Sequence, residues 1–389
     1  MVMFLHNRYR STGGEERAVE DLLWLVREHL GEPARLLTRD SAELGRTRAA
    51  AGLLRGGLDP AQVAAAVRSS GARVVHAHNL QPTLGWRALA AAREAGARVV
   101  LHLHQYRLVC AIGVCFTRGA ECTRCHGRDT RPGVRLNCRA SVPEALAYGA
   151  SLALWQRRLV EQADAVIVPS AFARERLREL GAPLDWERVH VLAPPLRALA
   201  GATPVAERGA EAAAGPDSAA SAPVSAAGGY ALVVARLSPE KGVDVAIDAC
   251  RMANIELVVA GDGPEREALQ ARAGAGAVRF EGHVDDRRLA ELRAGAAIAL
   301  APSRSAETFG LAVAEAMAAG LPVAASRVGA LPELVEEDAL VAAGDAGALA
   351  DAIARVAGDR AAGARGRLRV SSMCAPEVLA NALASVYDG

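Results

Sequence analysis

The sequence predicts an α/β protein of two doubly wound parallel-sheet domains, and three observations carry that prediction. Short apolar runs alternate with segments of helical periodicity along most of the chain, the pattern of parallel βαβ units. The alternation stops over residues 200–229, a stretch of Ala, Gly, Pro and Ser with few large apolar side chains, and then restarts. The length of 389 residues suits two domains at about 150 residues each. Composition agrees: 51% apolar residues, 23% charged residues and a mean hydropathy of +0.12 describe a core-forming chain, not a disordered one.

The first strand is residues 2–5, Val-Met-Phe-Leu. Gly13-Gly14 then makes a turn, and Glu15-Glu16 opens a helix with Val19, Leu22, Leu23, Val26 and Leu30 at helical spacing. Residues 73–76 and 98–101 are strands, with a helix over 84–95 between them, and 165–168 is another strand. Beyond the break, strands at 230–235, 255–260, 278–281, 297–301 and 322–325 alternate with helices. Those helices start at 243 and run over 264–273, 286–294, 310–319 and 346–356, and a last one spans 376–387. The expected organisation is an N-terminal Rossmann-like domain over 1–199 with a Cys-rich insert at 110–138, and a linker or insertion at 200–229. A C-terminal Rossmann-like domain over 230–370 follows, and then a helical segment over 371–389 that packs back on the first domain. Ligands of such sheets sit beyond the carboxyl ends of the strands, so two facing sheets put the expected site in a cleft between them.

Charge excludes one class of partner. The 45 basic and 44 acidic residues nearly cancel, whereas a nucleic-acid binder normally carries a basic excess. No apolar run approaches the ~20 residues of a membrane span. Residues 1–6 lack the charged start and cleavage site of a signal peptide. The expected location is the cytoplasm. Residues 142–162 have the pattern of an amphipathic helix that could touch the inner face of a membrane as a peripheral contact. Core packing is the preferred explanation of the pattern, since only Arg157 and Arg158 supply basic charge there.

Three strand-to-helix junctions carry the chemistry. Arg236-Leu237-Ser238-Pro239-Glu240-Lys241-Gly242 follows the strand at 230–235, and two cations at a strand end before a helix suit phosphate groups. Lys241 is the only lysine of the chain, so the other 44 of 45 basic residues are Arg; a lysine kept against that bias suits a site needing a compact point charge. Gly261-Asp262-Gly263-Pro264 lies at the next junction, where the glycines permit a tight turn. It is not the dinucleotide fingerprint, whose third Gly would stand where Arg266 is. The third junction is Glu307-Thr308-Phe309-Gly310-Leu311, with Glu315 about two helical turns further on. Its opening amides can hold an anion. Glu315 on an apolar helix needs a partner, either vicinal hydroxyls of a sugar or a structural ion pair.

In this order and at these strand ends, the three motifs closely resemble the retaining glycosyltransferases of family 4. The first half joins the resemblance through His6-Asn7-Arg8-Tyr9-Arg10 with Gly13-Gly14-Glu15-Glu16, through His76-Ala77-His78-Asn79, and through His104-Gln105-Tyr106-Arg107-Leu108-Val109-Cys110. The resemblance implies the GT-B fold and transfer of a hexose-type sugar from a nucleotide-diphosphate sugar to a hydroxyl acceptor. The acceptor would be a glycan, a lipid-linked molecule or a small molecule. It implies that Arg236 and Lys241 neutralise the donor diphosphate, Glu307 holds donor-sugar hydroxyls and Glu315 holds the ribose. Thr308, Phe309, Gly310 and Leu311 would present backbone to phosphate and sugar, with Gly261, Gly263 and Val284 around the nucleotide. Gly13 and Gly14 would approach the diphosphate, and His104 would sit beside donor sugar and acceptor. Neither an organic cofactor nor a catalytic metal is implied, and a monomer or weak dimer is expected. Gln105 departs from the family's usual Asn or Asp, and Ala111 from its Pro. The competing readings are a sugar-nucleotide epimerase of the same fold and a non-catalytic nucleotide-sugar or zinc scaffold. The Glu307-x7-Glu315 spacing beside Arg236 and Lys241 favours transfer.

Five of the seven cysteines fall between Cys110 and Cys138. Cys110, Cys122, Cys125 and Cys138 match segments of the family's members and suit a structural zinc, with reduced thiols or a reversible disulfide as alternatives; Cys115 is extra. His76, His78, His102 and His104 alternate along two strands. They would line a polar acceptor pocket or, in the alternative, hold a metal.

Overall fold

The computed structural model describes residues 1–9, 13–201, 229–274 and 276–389, so Arg10 and most of the expected linker lie outside the described residues. The chain divides into two compact units: unit 1 is Met1–Pro195 with Leu379–Gly389, and unit 2 is Leu196–Val378.

Unit 1 carries the strands β1 (Val2–Arg8), β2 (Ala34–Asp40), β3 (Val74–Ala77), β4 (Arg98–His102), β5 (Phe116–Thr117), β6 (Ala120–Glu121), β7 (Ala165–Val168) and β8 (Val189–Val191). Its helices are α1 (Gly14–Glu28), α2 (Arg46–Arg55), α3 (Pro60–Ser70), α4 (Gly85–Glu94), α5 (Arg131–Arg135), α6 (Val142–Glu161) and α7 (Ala171–Glu179). The main sheet has the order β2-β1-β3-β4-β7-β8 and is parallel throughout. The small hairpin β5-β6 belongs to the Cys-rich insert.

Unit 2 repeats the plan with β9 (Tyr230–Val234), β10 (Leu257–Ala260), β11 (Val278–Gly282), β12 (Ala296–Ala301), β13 (Val323–Ser326) and β14 (Leu340–Val341). Its helices are α8 (Val243–Met252), α9 (Arg266–Ala273), α10 (Asp286–Gly295), α11 (Leu311–Ala318), α12 (Leu331–Leu334), α13 (Ala346–Val356) and α14 (Arg360–Cys374). The parallel sheet runs β11-β10-β9-β12-β13-β14. Strand order reverses between β9 and β12 here and between β1 and β3 in unit 1; such switch points open a crevice at the strands' carboxyl ends.

The last helix, α15 (Pro376–Asp388), brings the chain back to unit 1. The return begins at Leu379, later than residue 371, because α14 stays in unit 2 and the Cys374 carbonyl accepts from Leu196 at 3.0 Å. Leu379, Leu383, Val386 and Tyr387 enter the core that Val2, Phe4, Val74, Val100 and Ile167 supply from the strands.

That core contains polar groups. Tyr387, 1% exposed, hydrogen-bonds through its hydroxyl to His76 Nδ1 at 2.7 Å, and His76 Nε2 bonds to His102 Nδ1 at 3.2 Å. The rings of His76 and His78 stack at 4.6 Å, and those of His102 and His104 at 4.1 Å. Burial holds all four imidazoles neutral: it depresses His76 to about 3, and His78, His102 and His104 are lowered as well. The unfolded chain takes up protons below about pH 6.5 while the folded one does not, so stability is complete above that value and falls with pH. Each histidine kept neutral then costs about 1.4 kcal/mol per pH unit. We predict that the melting temperature drops steadily between pH 7 and pH 5; a level melting profile across that window would refute neutral burial.

Candidate active site

In unit 2 the loops after β9 and β12 flank the switch point and are tied to each other. The Arg304 amide donates to the Glu240 carbonyl at 2.8 Å. Gly242 (φ +64°) starts α8 where a Cβ would strike the Pro302 carbonyl. Across this junction Lys241 Nζ meets Glu307 Oε1 at 2.6 Å, and Ser303 Oγ donates to the same oxygen at 2.6 Å. Burial by itself would raise the Glu307 carboxyl, but the Lys241 charge and the two hydrogen bonds outweigh it and hold the group below the usual range. Glu307 is therefore ionised at neutral pH. Arg236 is exposed and ion-pairs with Glu240, which also accepts from Ser238 Oγ at 2.7 Å.

The chain after Glu307 is fixed from below. Its carbonyl accepts from the Ala330 amide at 2.9 Å, and a Cβ on Gly329 would collide with the Glu307 backbone. Phe309 turns inward, 4% exposed, so its side chain packs and only its backbone can serve a ligand. Gly310 (φ +99°) caps α11, whose first-turn amides, like those of any helix, have no intrahelical acceptors. Thr308 and Leu311 are half-buried beside it.

Glu315 has a protein partner: its carboxylate forms an ion pair with Arg293 of α10, with the side chains 11% and 12% exposed. The requirement that a buried carboxylate be partnered is met inside the fold. Gly261 and Gly263 are likewise explained by packing. A Cβ at either would collide with the carbonyl of Ala235 or Leu237, and the Leu237 amide donates to the Asp262 carbonyl at 2.9 Å. These glycines let the loops after β9 and β10 lie against each other. Val284 packs on the small core of Leu232, Val258, Ala260 and Leu292.

In unit 1 a second polar cluster forms at the ends of β1, β3 and β4. The Glu16 carboxylate caps its own helix, accepting from the Gly13 amide at 2.9 Å and the Tyr9 amide at 3.1 Å. Glu15 accepts from the Tyr9 hydroxyl at 2.7 Å and from Gln105 Nε2 at 3.3 Å. Gln105 in turn accepts from Arg107 Nε at 3.0 Å, so the residue that departs from the family pattern bridges an acid and a base. His104 Nε2 lies 2.8 Å from His78 Nδ1. Gly13 and Gly14 are exposed, and a Cβ on Gly13 would meet no atom nearer than Glu16 Oε2 at 3.6 Å. Sequence reasoning gave no role to Glu15, Tyr9, Ser303, Gly329 or Arg293; Glu15 read there as a helix-start acid and Tyr9 as part of the opening motif, and Ser303, Gly329 and Arg293 carry no local signal.

Among the described residues, no three of Cys110, Cys122, Cys125 and Cys138 bring their sulfurs within 4.8 Å of one another. Among the described residues only His76, His78 and His102 bring three candidate ligand atoms within 4.8 Å of one another. The Cys110 sulfur is instead hydrogen-bonded by the Cys115 thiol and by the amides of Ile112, Gly113 and Cys115, which lowers it to about 6. Cys138 Sγ turns to Thr117 Oγ1 at 3.6 Å. The residue set aside as extra is thus the one that partners Cys110. In the histidine stack both His76 nitrogens are already engaged by Tyr387 and His102.

Comparisons with known proteins now decide the family. Residues 8–195 match the family described as "Glycosyl transferase 4-like domain", and residues 228–359 match "Glycosyl transferases group 1". The chain belongs to the family 4 glycosyltransferases, of GT-B type. The GDP-mannose-dependent alpha-(1-6)-phosphatidylinositol dimannoside mannosyltransferase of Mycobacterium tuberculosis is 42% identical over 109 residues, which is 26% of this chain and 28% of that protein. The glycogen synthase of the same species is 38% identical over 172 residues, 40% of this chain and 41% of that one. The chain therefore spans well under half the length of the curated relatives it matches. Two solved structures share the fold over nearly their whole length. Sucrose-phosphate synthase from Thermosynechococcus elongatus has a TM-score of 0.66 at 19% identity, covering 100% of this chain and 98% of that one. Anabaena Alr3699/HepE in complex with UDP and glucose has a TM-score of 0.63 at 18% identity, covering 100% and 99%. Among the described residues no helix is long and apolar enough to cross a membrane.

The Arg293–Glu315 pair yields a prediction for this family member. Arg293→Ala leaves a buried carboxylate without its cation and should cost about 3–5 kcal/mol of stability. Calorimetric unfolding of the single variant and of Arg293→Met with Glu315→Gln would check it, the double variant recovering most of the loss.

Proposed function

We propose that this protein is a retaining glycosyltransferase that moves a hexose-type sugar from a nucleotide-diphosphate sugar to a hydroxyl acceptor in glycoconjugate or polysaccharide synthesis. The Lys241–Glu307 contact is the observation that carries the reading. It sets an ammonium and an ionised carboxylate side by side at the switch point of unit 2, next to the start of α11. An ammonium has three donors, so Lys241 can hold Glu307 and still bind a phosphate oxygen. Glu307, fixed by Ser303 and Lys241, accepts from sugar hydroxyls.

In the transfer step the bond between the sugar's anomeric carbon and the diphosphate oxygen breaks, and a bond from the acceptor oxygen to that carbon forms on the same face. The acceptor proton goes to the departing phosphate. Charge develops on the diphosphate, and groups already in place stabilise it: Lys241, Arg236, and the amides of Gly310 and Leu311 at the α11 start. Glu315, oriented by Arg293, takes the ribose hydroxyls, and Val284 borders the base. In unit 1 His104, neutral and hydrogen-bonded to His78, positions the acceptor hydroxyl. The relatives differ in donor: the mycobacterial mannosyltransferase is named for GDP-mannose, and the Anabaena protein was solved with UDP and glucose.

A thermal-shift screen against UDP, GDP and ADP names the base. One nucleotide should raise the melting temperature, and Lys241→Ala should abolish the rise. Lys241→Ala and Glu307→Ala should each lower transfer by about 10²- to 10³-fold, assayed below the temperature at which each variant unfolds cooperatively. Near-normal turnover in either variant, or conversion of the donor sugar to its epimer without acceptor, would overturn the assignment.

A further inference from the structure

Arg304 lies between Ser303 and Glu307 in the loop after β12, yet its side chain turns to the loop after β9. Its guanidinium meets the Asp244 carboxylate with both terminal nitrogens, Nη1 to Oδ1 at 2.7 Å and Nη2 to Oδ2 at 2.6 Å. Nη1 also donates to the Pro239 carbonyl at 3.3 Å. Asp244 stands in the first turn of α8, just beyond the Pro239–Lys241 turn. Arg304 therefore grips that turn on both sides. We propose that Arg304 and Asp244 form a clamp that positions Lys241 against Glu307 for binding a nucleotide diphosphate. The proposal rests on the transferase reading above and adds two positioning residues to it.

The turn does not fix Lys241 by itself. It is a single 3₁₀ turn, with the Lys241 amide donating to the Ser238 carbonyl at 2.9 Å, and hydrogen bonds of that kind have poor geometry. The segment after β12 supplies the rest. The Glu240 carbonyl accepts from the Arg304 amide at 2.8 Å, and the Pro239 carbonyl accepts from the Arg304 side chain. One residue thus holds two successive carbonyls of the turn that carries Lys241. A long arginine side chain keeps such a place only when its fork is anchored, because freedom in solvent is otherwise favoured. Asp244 is the anchor, and two parallel bonds match the planar guanidinium. Both side chains are half-buried. Burial by itself would raise the Asp244 carboxyl, but the hydrogen bonds and charge of Arg304 outweigh it, so the pair is ionised at neutral pH. A third cation near Arg236 and Lys241 would also suit a phosphate. The Arg304 charge, however, is neutralised by Asp244, and both terminal nitrogens are already engaged.

The single lysine of the chain makes the test direct. Lysine labelled with heavy nitrogen at Nζ gives the full chain one ammonium signal in the magnetic-resonance spectrum, that of Lys241. Contact with Glu307 slows the exchange of its protons with water. Arg304→Met and Asp244→Asn should each speed that exchange about ten-fold, the coupling usual within one ion-pair network. Each should also weaken calorimetric binding of UDP or GDP, whichever the unaltered chain binds more tightly, by about the same factor. Together they should do no more than either alone, since both break one clamp. Arg365→Met, which breaks the Arg365–Glu336 pair between α14 and the segment before β14, is the control and should leave the signal in place. Two clamp variants guard against one that fails to fold. An ammonium signal unmoved in the folded clamp variants, or moved as far by Arg365→Met, overturns the proposal. So does tighter nucleotide binding in Asp244→Asn, the result expected if Arg304 were itself a phosphate ligand. A chain that binds no nucleotide loses the transferase reading, and the ammonium signal still decides the clamp. A chain that binds nucleotide while its signal ignores both clamp variants keeps that reading and loses the clamp.

Discussion

An ammonium and a carboxylate held at 2.6 Å across two loops fix the geometry of unit 2. Lys241 closes the turn after β9 and Glu307 opens the turn after β12, so their contact spans the point where the sheet reverses its strand order. Neither group could sit there alone. An unpartnered carboxylate enclosed by the loops would be driven toward its neutral form, and an isolated ammonium would be solvated away from the sheet. Joined and supported by Ser303, both keep their charge where a helix also begins. In the proposed reading Lys241 is the fixed cation that meets a phosphate, held in place by Glu307 before the ligand arrives.

The surrounding packing serves that contact. Gly242 and Gly329 let backbone approach backbone on either side of the pair, and Gly261 and Gly263 do the same for the loop after β10. Arg293 neutralises Glu315 on α11, so the helix that offers its amides at one end carries a satisfied carboxylate at the other. Unit 1 solves a related problem differently. Its switch point is furnished with neutral imidazoles stacked in the core and anchored by Tyr387, and with carboxylates at the start of α1 held by Tyr9, Gln105 and backbone amides.

Strands and helices were legible wherever the hydrophobic period was strong. The strands at 2–5, 98–101, 165–168 and 230–235 and the helices at 84–95, 264–273 and 346–356 correspond to structural elements within a few residues. The short helices α2 and α3 and the edge strands β2 and β8 were not, because their exposed faces dilute the pattern and α2 is rich in Ala and Arg. Motif order brought out Arg236, Lys241, Glu307 and Glu315. It could not reveal that Gly261 and Gly263 face protein backbone, or that Glu315 already has a cation, since both depend on residues distant in sequence.

The sequence by itself determined the alternating α/β architecture, the break between its halves and the family, because those reside in periodicity and in the spacing of a few residues along one strand-loop-helix unit. Tertiary structure alone decided which cysteine Cys110 meets, which base Glu315 holds, and that four histidines on two strands stack into one neutral column. Each of those is a contact between segments that the chain brings together only by folding, and a linear pattern carries no distance between them.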